Sequence, residues 1–300
     1  MAELSEATLQ DIEVFADRLD LAKVAATFKE FGCMVVRGLH TQYIPEISRQ
    51  IEAVIAETIE QIPNARPVPE GWYTPNGSLL LPAPKNYSRD KQIMTLPLSY
   101  RNSSAFFRTA LDETTLDIAE AALGPDIELF LDGQSLVKEP VGGHPKHLHQ
   151  DAAYFQHRYE GPVAFLTYVV DTNLRNGALH VVPGSHKLGV LNHVDTFSHL
   201  GLDAKDWPWE RSLPIEGKAG DAVVFHVNCI HGSKENHSNA NRPVFINRYR
   251  AADDYTIIGA TSTKNRAEAE KHAAQARKEN QLGLMVRGFR RFDAKRRENQ

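Results

Sequence analysis

Hydrophobic positions change their spacing part-way along this chain. Residues 20–31 and 42–61 carry apolar side chains at the intervals of amphipathic helices. In the second, Ile47, Ile51, Val54, Ile55 and Ile59 form one stripe. Between them, the run Cys33-Met-Val-Val-Arg-Gly-Leu predicts a short strand ending at Gly38. Residues 62–102 are rich in Pro, Gly, Asn and Tyr and predict a long irregular region of the kind that forms functional loops or lids. Residues 103–123 predict a helix that stops at Gly124-Pro125.

From about residue 126 the apolar positions come in short runs separated by turn residues. Strands are predicted at 127–131, 134–138, 164–170, 179–182, 222–226 and 244–249. Short strands without intervening helices predict a sandwich or jelly roll, an all-β core with flanking helices, rather than a parallel α/β sheet. The stretch 187–220 has no strand pattern, carries Trp207 and Trp209, and reads as an insertion over one mouth of the barrel. Residues 264–283 return to helix. The expected organisation is one domain over 1–300. It comprises a helical part at about 1–125, a jelly-roll core at about 126–252 and a helical tail at about 253–300.

Composition narrows the class. Apolar residues are 42% and charged residues 24%, a balance that supports a globular core. The formal charge of −4 gives no electrostatic reason to expect nucleic acid. No apolar run approaches the ~18 residues of a membrane helix, and the acidic start lacks the order of a signal peptide. The two cysteines, Cys33 and Cys229, sit in apolar runs and read as buried free thiols of a reducing cytoplasm. From residue 263 onward there are eleven Lys or Arg against five Asp or Glu. That tail reads as a solvated helical face or as a docking surface for an acidic partner. A small molecule is the expected partner, with no nucleic acid and no membrane. Monomer and homodimer both stay open.

The chemistry is carried by His149-Gln150-Asp151 and, far downstream, His231 and Arg242. Residues two apart on a strand point the same way, so His149 and Asp151 suit adjacent corners of a coordination sphere. A third ligand must come from another strand, and His231, at the start of a turn containing Gly232 and Ser233, can supply it. Two imidazoles and a carboxylate are the donor set of non-haem Fe(II) oxygenases. A second His-x-Asp, His193-Val-Asp195, lies in a polar stretch without a flanking strand and is not preferred. His40, His199 and His272 read as surface residues, and His180 and His226 as core histidines. His147 shares strand parity with His149 and is a candidate for the pocket lining.

Residues 231–242, His231-Gly-Ser233-Lys-Glu-Asn236-His-Ser238-Asn-Ala-Asn-Arg242, resemble the distal motif of the phytanoyl-CoA dioxygenase family. Asn176-Gly-Ala-Leu-His-Val-Val-Pro-Gly-Ser185-His186-Lys187 and His149-Gln-Asp151-x-x-Tyr154 are similar to two further blocks, in the expected order over about residues 20–250. The resemblance implies a cupin-like jelly roll, the double-stranded β-helix. It also implies Fe(II) on His149, Asp151 and His231, with 2-oxoglutarate and O2 as co-substrates. Arg242 would hold the far carboxylate of the keto acid, since a guanidinium offers it two parallel donors. Ser233 either adds a hydroxyl or bonds its own turn, and Lys138 is either a polar contact to the co-substrate or a surface lysine.

The implied reaction oxidises an unactivated C–H bond of a small molecule, such as a secondary metabolite, and yields succinate and CO2. The retained Asp151 favours hydroxylation over halogenation, while desaturation, epoxidation and rearrangement stay open because they depend on where the substrate sits. Tyr154, Phe155 and Trp72 are candidates for the substrate pocket, with core packing as the other reading of Trp72. Arg248 shares parity with Arg242, so it either binds an anionic substrate group or pairs with an internal carboxylate such as Asp132. Two other readings stay open: a cupin-like metal enzyme that does not use 2-oxoglutarate, and a non-catalytic binding protein on the same scaffold.

Overall fold

A computed structural model describes residues 4, 7–196, 199–257 and 283–291. Its centre is a pair of facing sheets. Four antiparallel strands of the larger sheet, Gln134–Lys138, Arg242–Ala251, Val163–Tyr168 and Ala222–His226, lie side by side. Opposite them stand Leu213–Ile215, Leu179–Val181, His231–Ser233 and Lys146–His149, paired antiparallel in that order. These eight strands make the jelly roll that the sequence predicts.

Alternation along the strands explains why the sheets close. Leu166, Tyr168, Val223, Phe225, Val244 and Ile246 point inward and meet Leu179, Val181 and Ile215 from the smaller sheet and Cys229 from the turn before His231. The intervening positions Val163, Phe165, Ala222 and Val224 point outward, where the helices Leu21–Phe31 and Glu113–Leu123 cover them. A strand buried on both faces is mostly apolar, as the run Val163–Tyr168 is; its two hydroxyls are bonded inside, Thr167 to His40 and Tyr168 to the Ile215 carbonyl. Asp20 caps the first of these helices by accepting from the N–H groups of Ala22 and Lys23, and Gly32 ends it in the left-handed region.

Three expectations need correction. Residues 62–102 are not irregular: Arg66–Val68, Gly71–Tyr73, Leu79–Pro82 and Lys91–Leu96 form a meander that extends the larger sheet beyond Gln134–Lys138. These strands are short, and two carry a proline: Pro67 in the edge strand, where a missing N–H costs little, and Pro82 at the last position of its strand. The 103–123 helix is two, Ser104–Ala110 and Glu113–Leu123, because Asp112 leaves helical geometry to cap the second. The 187–220 stretch contains three short strands, Val194–Asp195, Leu200–Gly201 and Leu213–Ile215, the last of them part of the smaller core sheet.

The helix expected over 264–283, and His272 with it, lie outside the described residues except for Gly283. The described part of the basic tail is turned onto the chain itself. Strand Met285–Arg287 pairs with Ile127–Leu129, and Arg287 bridges Glu113, Asp117 and Glu120. Among the described residues, no helix is long and apolar enough to cross a membrane.

Candidate metal centre

His149 ends one strand of the smaller sheet, and His231 begins its neighbour as the directly opposed residue. Gln150 is extended, and Asp151 then opens a short 3-10 turn, so the alternation that sets His149 and Asp151 on one side holds locally. The three side chains bring one donor atom each to within 4.8 Å of one another, and all three are buried. Asp151 Oδ1 lies 3.8 Å from His149 Nε2 and 3.7 Å from His231 Nε2. Both spans are within the ~4.2 Å that one ion with bonds of about 2.1 Å can bridge.

The imidazoles are set up as neutral donors. His149 Nδ1 donates to the His147 carbonyl at 2.8 Å, and His231 Nδ1 donates to the Cys229 carbonyl at 3.0 Å. Each Nε2 therefore keeps its lone pair for a metal, the usual outer support of a ligating histidine. Burial, helped by the neighbouring His231, pushes His149 well below the ordinary histidine range, and burial also lowers His231. Two neutral imidazoles and one carboxylate fit a divalent first-row ion with open positions.

Asp151 has a second partner. Arg248 Nε and Nη2 both lie 3.3 Å from Asp151 Oδ2. Parity along Arg242–Ala251 does bring Arg248 inward, but its carboxylate partner is Asp151. Asp132 sits half-exposed at the surface and pairs with Arg101. Of the two readings of Arg248, its contacts favour the internal pair, with Asp151 in place of Asp132.

Lys138 and Arg242 face each other across two strands. Both are buried, and among the described residues neither forms an ion pair with a carboxylate. Lys138 donates to the carbonyls of His144 and Ser233, and Arg242 Nη2 to that of Gly177. Arg242 Nε is buried with no hydrogen-bond partner among the described residues. Burial, and then Arg242, push Lys138 well below the usual lysine range, and burial brings Arg242 down to about 10. Two adjacent desolvated cations are costly unless an anion joins them, and a two-pronged donor facing a point charge suits a carboxylate. Ser233 is buried beside them in a strand rather than in the expected turn.

The remaining candidates separate. Phe155 is buried edge-on to Phe130, with the Arg248 guanidinium 5.7 Å from its ring centre. The Tyr154 hydroxyl accepts from the Leu200 N–H at 2.7 Å. His147 stacks on His199 at 5.9 Å, and His199 stands edge-on to His149 at 4.9 Å. His199 was expected at the surface, as was His40; both are buried. Trp72 is in a strand of the edge meander and packs with Ile47, Ile51, Leu80 and Ile93 beneath the helix Ile44–Gln61. That is core packing, on the outer side of the larger sheet.

Comparison with known proteins adds a lineage to this geometry. A family model described as phytanoyl-CoA dioxygenase (PhyH) matches residues 28–244. The chain belongs to the phytanoyl-CoA dioxygenase family. Within it, the chain is 31% identical over 156 residues to a Stutzerimonas stutzeri protein named "Probable alpha-ketoglutarate-dependent hypophosphite dioxygenase"; the match covers 49% of this chain and 53% of that protein. It is 27% identical over 194 residues to the peroxisomal phytanoyl-CoA dioxygenase of Homo sapiens, with 60% and 56% covered. The chain thus spans little more than half the length of these curated relatives.

Solved structures share the family's fold. The epimerase SnoN, in complex with Fe3+, alpha ketoglutarate and nogalamycin RO, aligns with TM-score 0.61 and 18% identity, covering 90% of this chain and 96% of its own. EctD from S. alaskensis with bound Fe aligns with TM-score 0.60 and 17% identity, covering 89% and 87%.

Proposed function

We propose that this chain is an Fe(II)- and 2-oxoglutarate-dependent dioxygenase that hydroxylates, or otherwise oxidises, an unactivated C–H bond of a small molecule. One observation carries the reading. A buried His149–Asp151–His231 donor set shares its barrel with two buried basic side chains, Lys138 and Arg242, that have no carboxylate partner among the described residues. A metal enzyme without the keto acid, or a retained scaffold without catalysis, gives no reason to bury both cations.

His149 and His231 would hold Fe(II) through Nε2, and Asp151 through Oδ1. The bound ion supplies oxidative decarboxylation of 2-oxoglutarate to succinate and CO2, coupled to removal of a hydrogen atom from the substrate. The chain's own contribution is placement. Arg242 would take the far carboxylate of the keto acid with its unused Nε, and Lys138 would neutralise it, with the Ser233 hydroxyl alongside. The apolar interior around Ile246, Leu166 and Phe225 excludes water from the reacting centre. We assign the substrate to the side of His149 bounded by His147 and His199, with Phe155 and Tyr154 at its margin; the ring contacts of His199 support this side. Buried free thiols at Cys33 and Cys229 support a reducing, cytoplasmic setting.

The test begins without oxygen. Fe(II) and 2-oxoglutarate added together should give the visible charge-transfer band of a ferrous keto-acid chelate. Admitting oxygen with a panel of small molecules should then release succinate in step with one of them. A folded sample that retains no Fe(II) would end the proposal.

A further inference from the structure

The second His-x-Asp of the chain is bound into the first. Gln150, the residue between two of the proposed ligands, is fully buried. Its backbone N–H has no strand neighbour to accept it and points instead at His193 Nε2, 2.9 Å away. His193 Nδ1 donates to the Leu191 carbonyl at 2.8 Å. The ring is therefore oriented from both sides, and its tautomer is fixed with the proton on Nδ1 and the lone pair on Nε2. Burial pushes His193 down to about 4, consistent with a neutral ring.

The side chain of Gln150 completes the arrangement. Nε2 donates to the carbonyls of Gly189 and Asn228 at 2.8 and 2.7 Å, and Oε1 accepts from the Leu191 N–H at 2.8 Å. Asn228 lies in the turn that leads to His231, and the Ala152 N–H bonds the Val227 carbonyl of the same turn at 3.0 Å. The ligand pair, the 189–193 segment and the approach to the third ligand are thus one hydrogen-bonded unit. An amide N–H buried without an acceptor is destabilising, and the peptide can avoid that by rotating. Rotation of this peptide plane would swing the His149 and Asp151 donors relative to each other.

We infer that His193 is a positioning residue of the metal centre: as a neutral acceptor it fixes the His149–Gln150 peptide, and so the angle at which His149 and Asp151 present their donors. The inference rests on the metal-centre reading above. It gives the 187–220 segment a task, that of carrying the acceptor for the ligand loop.

The test compares two amides. In His193→Gln the Oε1 atom can stand where Nε2 stands and keep an acceptor for the Gln150 N–H. In His193→Asn the side chain reaches only as far as Nδ1 and leaves that N–H bare. Co(II) is the probe, read by equilibrium titration and by its ligand-field absorption. Folding is checked by circular dichroism. His193→Asn should weaken Co(II) binding about tenfold or more and change the absorption envelope, as losses of outer support do, while His193→Gln should stay within about threefold of the parent. In the unsubstituted protein, nitrogen NMR should find His193 protonated on Nδ1 only, before and after loading; this needs no variant to fold. Equal weakening by both variants, unaltered binding by His193→Asn, or a proton on Nε2 would overturn the inference while leaving the proposed function standing. Failure of the parent protein to bind Co(II) or Fe(II) would overturn both.

Discussion

Arg248 reaches Asp151 with two donors aimed at a single oxygen: Nε and Nη2 are each 3.3 Å from Oδ2. Oδ1 is left facing the two imidazoles at 3.7 and 3.8 Å. The pairing therefore divides the carboxylate into a tethered oxygen and a free one. Arg248→Met strands a buried carboxylate, a loss on the order of 3 kcal/mol, which lowers the thermal midpoint. A divalent ion replaces the missing positive charge. The midpoint should thus fall further without Mn(II) than with it, in scanning fluorimetry. Equal falls in both conditions would show that the guanidinium does not act on the ligand oxygen.

Asp151→Ala removes the charged donor and leaves Arg248 buried without its partner. Metal binding and succinate release should both drop to background. The double variant Asp151→Ala with Arg248→Met should recover part of the lost stability, since it removes both halves of the pair, yet recover no metal binding. Succinate release that survives Asp151→Ala would mean that a different carboxylate holds the ion.

Arg242 and Lys138 make separable predictions. Replacing Arg242 by Met removes charge-assisted bonds to the keto acid of ~3 kcal/mol in total, so the 2-oxoglutarate requirement should rise roughly 100-fold. Lys138 enters through its proton. Burial and Arg242 hold it well below the usual lysine range in the free protein, and an arriving carboxylate raises it. Binding therefore takes up a proton at any pH between the free and bound values, and affinity declines as pH rises through that window. Calorimetry in two buffers of different ionisation enthalpy should register the uptake in the parent protein and none in Lys138→Met. Identical behaviour of the two would remove Lys138 from the co-substrate site.

What the sequence reveals here depends on how local each arrangement is. His149 and Asp151 are legible because extended geometry at Gln150 preserves a two-residue alternation. The inward path of Arg248 follows from the same alternation along Arg242–Ala251, but its partner is 97 positions away and parity cannot select it. The edge meander escapes notice because its strands are three to six residues long, two of them proline-bearing, with turn residues filling the space between them. His199 and His193 sit in a polar run without apolar rhythm; their burial comes from the 187–220 segment folding back onto the ligand strand, through bonds such as Leu202 N–H to the Leu148 carbonyl at 2.7 Å. The one available signal was the repeated His-x-Asp spelling, and it marked a support for the first copy rather than a rival to it.

Gly232 gives the last prediction, because it separates the fold from the site. It lies between His231 and Ser233 in a strand whose register against Lys146–His149 shifts at that point. A β-carbon there would stand 2.7 Å from the Lys146 carbonyl oxygen and 3.0 Å from the Leu148 nitrogen. Both are backbone atoms of the strand that carries His149, so the contact cannot be relieved by turning a side chain. Glycine within a strand often marks such a close approach of two backbones. Gly232→Ala must push the two ligand strands apart by several tenths of an ångström, costing about 1–3 kcal/mol. The apolar contacts between the sheets are untouched, so the protein should still fold, with a lower thermal midpoint. His231 and His149 ride on the two strands being separated. Co(II) affinity should therefore fall about tenfold or more, comparable to losing an outer support of the ligands. Unchanged affinity in a folded Gly232→Ala protein would mean that the strand spacing does not set the donor spacing.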